Sequence, residues 1–214
     1  EMMQSIPVLS GIGVEGDVVV NPLHHQLRRE AWTGNCVAIG DAAVTLDPLD
    51  AVALHPVHIG LSLLVEFFPT ARKEMPEAEV FNAKFARHME NIRDFQLAHY
   101  ALNMRPDEPV WDAVREQDMP ESLARKLRIF RGTGVVSLNE DETFEEENWA
   151  QIFVGHNHVP DGYSPLVDVT ADEELIQKFQ AMLRFIAGEV SEMTSLTAHM
   201  EMFAPQRPAD GAAF

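Results

Sequence analysis

Residues 40–56, GDAAVTLDPLDAVALHP, crowd three aspartates, two prolines and a histidine directly behind the apolar run NCVAI. The run reads as a buried strand, and Gly40 and Asp41 then form a glycine turn with an acid at the strand's carboxyl end. Ligands of open α/β sheets collect at such ends. An aspartate there can accept a hydrogen bond from a sugar or polyol hydroxyl. A strand–Gly–Asp turn is also an ordinary structural corner, so taken alone the pattern leaves both meanings open. Asp47 and Asp50 stand on either side of Pro48; Asp47 is expected to brace the turn.

Other stretches carry chemical-looking patterns with weaker claims. GIGVEG, residues 11–16, has the letters of a dinucleotide fingerprint, but DVVVNP follows it where a helix would have to open onto a pyrophosphate. A hairpin or loop is expected there. Histidines occur in pairs at 24/25, 55/58 and 156/158. His55 and His58 on one helical face could bind a metal with Asp50 or Asp47, but no third ligand or supporting shell is legible, so no metal site is assigned. NEDETFEEEN, residues 139–148, lacks the alternating ligands and central glycine of a calcium loop and reads as a solvated acidic loop.

These residues must be positioned by a chain of 214 residues, enough for one good core or two small ones. With 34 Asp and Glu against 16 Lys and Arg, it repels phosphate backbones and anionic lipid. Neither nucleic acid nor membrane is an expected partner. Cys36, the one cysteine, permits no intrachain disulfide and suits a reducing cytoplasm. No apolar run approaches the roughly 20 residues that span a bilayer. The chain opens EMMQSIPVLSG, without a basic leader, and reads as cut from inside a larger protein.

Short apolar runs at 6–9, 18–20 and 37–39 make the first forty residues β-rich. VHIGLSLLVEFF is apolar nearly all round and predicts a buried helix. From Pro76 a long amphipathic helix follows, with Val80, Phe81, Phe85, Met89, Ile92 and Phe95 at three- and four-residue steps. Another helix follows Pro120, with Leu123, Leu127 and Phe130 on one face. The last is marked by a capping box at Thr170 and Glu173 and by the stripe Leu175, Phe179, Leu183, Ile186, Val190 and Met193. The expected fold is α+β and mainly helical. Residues 1–68 end a β-containing domain, 69–203 form a helical one, and 204–214 are a disordered tail.

NCVAIGDAA followed by LDPLDAVALHPVHIGLSLLVEFFP resembles the flavin-dependent halogenases of the tryptophan halogenase family. Trp32, Asn35, Val37, Ala38, Gly40, Pro48, Leu49, Phe68 and Pro69 match that family's pattern in order. IRDFQLAHYAL, PVWDA, SLARKLRIF and VGHNHVPDGYSPLVD extend the likeness to about residues 28–196. The resemblance implies the carboxyl-terminal part of an FAD-dependent monooxygenase-like fold, with the amino-terminal dinucleotide-binding part and the family's catalytic lysine absent. It further implies that Gly40 and Asp41 hold the ribityl chain of FAD, and that Pro48, Ala53 and Leu54 lie beside the isoalloxazine ring. Backbone donors at Val52 and Ala53 would bind the halide. Asp50 would be the catalytic acid at the substrate, where the family has glutamate. Reduced FAD would come from a separate flavin reductase, the halide would be a co-substrate, and an electron-rich, aromatic small molecule would be halogenated.

Asp50 shortens the family's glutamate by a methylene, and Ala51 and Val52 replace its Ser and Thr. Pro56 sits where the family's helix is already under way; since proline prefers the first turn, the helix here should begin near His55. Two alternatives stay open: a flavin monooxygenase of the same fold without halogenation, and a non-catalytic acidic helical module for a basic partner. His58, Tyr100, Trp111 and Tyr163 either line an aromatic pocket or pack in the core. A homodimer is also left open.

Overall fold

The computed structural model describes residue 19 and residues 22–70 and 75–203. The expected strands at 6–9 and 18–20 (Val19 apart), the GIGVEG loop and the tail 204–214 lie outside the described residues. Those described fall into two compact units, divided between Gly162 and Tyr163. Helix dominates, and strands are few.

In the first unit, β1 (Gln26–Leu27) pairs antiparallel with β4 (Val44–Thr45), and β2 (Trp32–Thr33) with β3 (Cys36–Val37). The expected buried strand is thus a two-residue arm of a hairpin, with Cys36 exposed and Val37 half-buried. Its partner carries the buried side chain: Trp32 is 4% exposed and meets Phe81 edge-on.

α1 (His55–Glu66) begins where Pro56 demands, with the proline in its first turn. It buries Pro56, Ile59, Gly60 and Leu63, but Leu61, Val65 and Phe68 face solvent. A helix apolar on all sides is therefore buried on one side only among the described residues, where the following long helix and the turns at Gly40–Ala42 and Leu49–Leu54 pack against it. The apolar stretch Leu49–Glu66 is long enough by composition to cross a membrane. It is divided by left-handed residues at Asp50 and Ala51, and α1 itself has 12 residues against the roughly 20 required.

α2 (Pro76–Ala101) is the spine. Pro76 opens it, and Glu77 and Glu79 complement the positive helix end. Phe81, Phe85, Met89 and Ile92 pack with Ile59 and Leu63 of α1 and with Trp32 and Val44 of the hairpins. Residue 68 therefore falls within one packed unit, and the expected stripe residue Val80 is exposed instead. Further along, Phe95 joins a second cluster with Leu123 and Phe130 of α4 (Glu121–Thr133) and Trp149 and Phe153 of α5 (Glu146–Gly155). Between them, α3 (Pro109–Arg115) folds back along the end of α2.

The polar residues of α2 grip loops. Asn82 exchanges two hydrogen bonds with the backbone of Trp32, at 2.8 and 2.9 Å. Asn91 Nδ2 donates to the Asp141 carbonyl at 3.1 Å. The acidic segment 139–148 is consequently not a solvated loop throughout: the side chain of Glu142 is 5% exposed and pairs with Lys126 at 2.8 Å. Asp141 lies 3.5 Å from Arg87 and 3.6 Å from His88.

In the second unit, a 3-10 turn at Pro165–Val169 leads into α6 (Asp172–Glu192) and α7 (Leu196–Phe203). The expected capping box does not form, because α6 starts from Ala171 without a side-chain cap. Its apolar stripe, including Phe179, Leu183, Ile186 and Val190, is exposed.

Candidate functional site

Each residue of the Gly40–Pro56 stretch has a definite place. Gly40 is buried with φ +60, a conformation that suits glycine, and a Cβ added there would stand 2.9 Å from Val57 of α1. Ala43 N–H closes the turn onto the Gly40 carbonyl at 2.8 Å. Asp41 is exposed, and its carboxylate has no hydrogen bond or ion pair among the described residues.

Between Pro48 and α1 the chain does not stay extended. Leu49–Leu54 form two short 3-10 turns joined by a kink at Asp50 (φ 65) and Ala51 (φ 53). Four hydrogen bonds hold the kink. Asp47 Oδ1 accepts from Leu49 N–H at 2.8 Å, and the Pro48 carbonyl accepts from Ala51 N–H at 3.1 Å. Gln96 of α2 donates through Nε2 to the carbonyls of Asp47 and Leu49, at 2.9 and 2.6 Å. Val52 is 7% exposed and packs in the first core cluster, while Pro48, Ala53 and Leu54 are exposed.

The kink turns Asp50 toward α2, where His99 Nε2 lies 3.6 Å from its carboxylate. That separation is too long for a hydrogen bond, and His99 Nε2 is buried without another partner. Burial pushes the His99 imidazole below its usual 6.5 although Asp50 pulls the other way. Burial and the nearby Asp50 thus act in opposite directions on this imidazole, and burial is the larger. The His156 ring stands edge-on to His99, at 6.2 Å between centroids. Beside them Tyr100 has its phenol pushed up by burial and by the nearby Asp47 and Asp50 carboxylates.

A cavity of about 470 Å³ opens here, lined by Leu49, His99, Tyr100, Asn103, Trp111 and His156, among others. Its size suits a small organic ligand. Tyr100 and Trp111 stack at 5.7 Å with 22° between planes, and the Arg105 guanidinium sits 5.3 Å from the Trp111 ring centre. Asn103 fixes this wall by donating to the Trp111 carbonyl at 3.1 Å. A larger cavity of about 630 Å³ lies against the Asp47 side of the turn, and Gln96 and Tyr100 contribute to its lining.

Of the four candidate aromatic-pocket residues, the structure brings Tyr100 and Trp111 together. His58 is exposed on α1, and Tyr163 belongs to the second unit, where its hydroxyl donates to Asp168 at 3.0 Å. His55 Nε2 meets Thr143 Oγ1 at 3.1 Å, and no group of three or more metal-ligating side chains occurs among the described residues. His99 and Gln96 fall on the apolar stripe of α2, four residues beyond Phe95 and Ile92 respectively, but nothing in the sequence says which group each meets.

The model of the tryptophan halogenase family matches residues 13–172. The chain belongs to the tryptophan halogenase family. Among curated members it is 27% identical over 190 residues to the tryptophan 7-halogenase KtzQ of Kutzneria sp. (strain 744), covering 82% of this chain and 35% of that one. To the tryptophan 7-halogenase RebH of Lentzea aerocolonigenes it is 30% identical over 152 residues, 64% of this chain and 29% of RebH. The flavin-dependent halogenase BrvH from Brevundimonas sp. BAL3 superposes with a TM-score of 0.80 at 32% identity, over 86% of this chain and 38% of BrvH. The chain thus spans roughly a third of the length of these halogenases.

His55, His88, His99 and His158 are all held below the usual histidine value of 6.5, in each case chiefly by burial. Groups whose folded value is depressed stabilise the fold above the unfolded value, and that contribution is lost as pH falls. The melting temperature is expected to fall between pH 7.5 and 5.5, by about 2–4 °C for each kcal/mol lost. Thermal unfolding across this range checks it, and His88→Gln should flatten part of the slope.

Proposed function

We propose that this chain is the carboxyl-terminal part of a flavin-dependent halogenase acting on an electron-rich aromatic small molecule. The observation that carries the reading is Asp50, held in a left-handed kink and turned toward His99 beside a cavity walled by Tyr100 and Trp111. Residues 1–68 would close a flavin-binding domain. Asp41 fits a cofactor's polyol chain, being exposed and free to accept from a hydroxyl, while the close Gly40–Val57 approach fixes the turn that presents it.

Reduced FAD, supplied by a separate cytoplasmic reductase, would activate oxygen so that a halide becomes an electrophile. The chain's own residues would do the rest. The family resemblance would assign halide recognition to the backbone N–H groups of Val52 and Ala53, which the side-chain changes at 51 and 52 leave in place. The stacked pair would orient the aromatic ring. Asp50 would take the proton that leaves the ring when the halogen enters, a role in which a carboxylate suffices and small displacements are costly.

The test is product formation by the full-length enzyme with a flavin reductase, with and without bromide or chloride. A halogenated product that requires halide is expected. The departures Asp50, Ala51 and Val52 favour a second reading, hydroxylation. A hydroxylated product without halogen would establish that reading instead.

A further inference from the structure

We propose that Gln96 is a positioning residue that holds the Asp50 kink in its working shape; the inference rests on reading that kink as the halide and substrate turn. Asp50 and Ala51 both adopt left-handed backbone, which non-glycine residues keep only where their surroundings impose it. Two of the four hydrogen bonds that impose it are local, within Asp47–Ala51. The other two come from another element. Gln96 is 4% exposed, and its one amide group supplies both of its donors to the carbonyls of Asp47 and Leu49.

The consequence is geometric. Gln96 and His99 are three residues apart on α2, so they share a helix face. The same face that grips the turn therefore presents His99 to Asp50. Gln96 sets where the turn sits along α2, and with it the separation of carboxylate and imidazole. A methionine at 96 has nearly the same length and shape but no donor. The two carbonyls would lose their partner, and the kink could relax toward the ordinary right-handed backbone.

The experiment compares wild type, Gln96→Met and Gln96→Lys in the full-length enzyme, with amide hydrogen exchange and steady-state halogenation as readouts. In Gln96→Met, exchange at Leu49 and Ala51 is expected to accelerate at least about tenfold, with the rest of α2 keeping its protection. The halide KM should rise or kcat fall by about tenfold or more, while the KM for the aromatic substrate moves less than about threefold. Gln96→Lys, which returns a donor, should recover part of both. Unchanged exchange at Leu49 and Ala51 in Gln96→Met overturns the positioning role. So does a Gln96→Lys enzyme as impaired as Gln96→Met, which also covers a methionine variant that fails to fold. Accelerated exchange with unaltered kcat and halide KM leaves the clamp standing and overturns the assignment of this turn to halide and substrate.

Discussion

Asp50→Asn in the full-length enzyme is expected to lower kcat by about 10²–10³-fold with little change in substrate KM, the loss typical of removing a positioned general base. Asparagine keeps the shape of aspartate and is, like it, among the residues that tolerate left-handed backbone, so the kink at φ 65 should survive. What disappears is the basic oxygen 3.6 Å from His99. A variant retaining kcat within threefold would remove Asp50 from the chemistry. Asp50→Glu separates position from charge: it restores a carboxylate one methylene further out, and any recovery beyond Asp50→Asn shows that the charge is what matters.

The sequence made some of this site legible because the relevant physics is local. Proline prefers the first turn of a helix, and α1 does begin around Pro56. An aspartate just before a proline turn can accept from a backbone N–H two residues on, and Asp47 does so with Leu49. Gly40 was visible as a turn glycine for the same reason. Less was legible where a polar residue acts across the fold. Gln96 reaches carbonyls 47 and 49 positions away, and Asn91 reaches one 50 away. Asn91 lies at the margin of the α2 stripe and Gln96 within it, but a polar residue in or beside a stripe does not reveal which distant backbone group it meets. Both are buried here because α2 is wrapped on several sides, by α1, the hairpins, the 139–144 segment, α4 and α5. Helical periodicity locates the stripe that meets the largest partner and says nothing of loops lying over the rest. A different error arose at α1, whose all-round apolarity predicted burial that the first unit supplies on one side only.

Lys126 is the sharpest instance, a charged residue among the amphipathic positions of α4 that is 3% exposed. Its Nζ donates to the Ser137 carbonyl and to Glu142 Oε2, each at 2.8 Å, and lies 4.5 Å from the Trp149 ring centre. Lys126→Met should fill the space left by the stem and still destabilise the fold by about 3–5 kcal/mol, the cost of breaking a buried pair from one side. Glu142 would remain in place with only the Asn139 N–H as donor, its Oε1 already being buried without a partner. At about 2–4 °C per kcal/mol for a chain of this size, the melting temperature should drop by on the order of 10 °C. Lys126→Met combined with Glu142→Leu removes both charges, and should recover more than half of that loss, because the penalty lies in the stranded carboxylate rather than in the missing attraction. If the double variant melts no higher than Lys126→Met alone, the cost instead reflects the lost contacts to Ser137 and Trp149, and the acidic segment is anchored by packing rather than by charge.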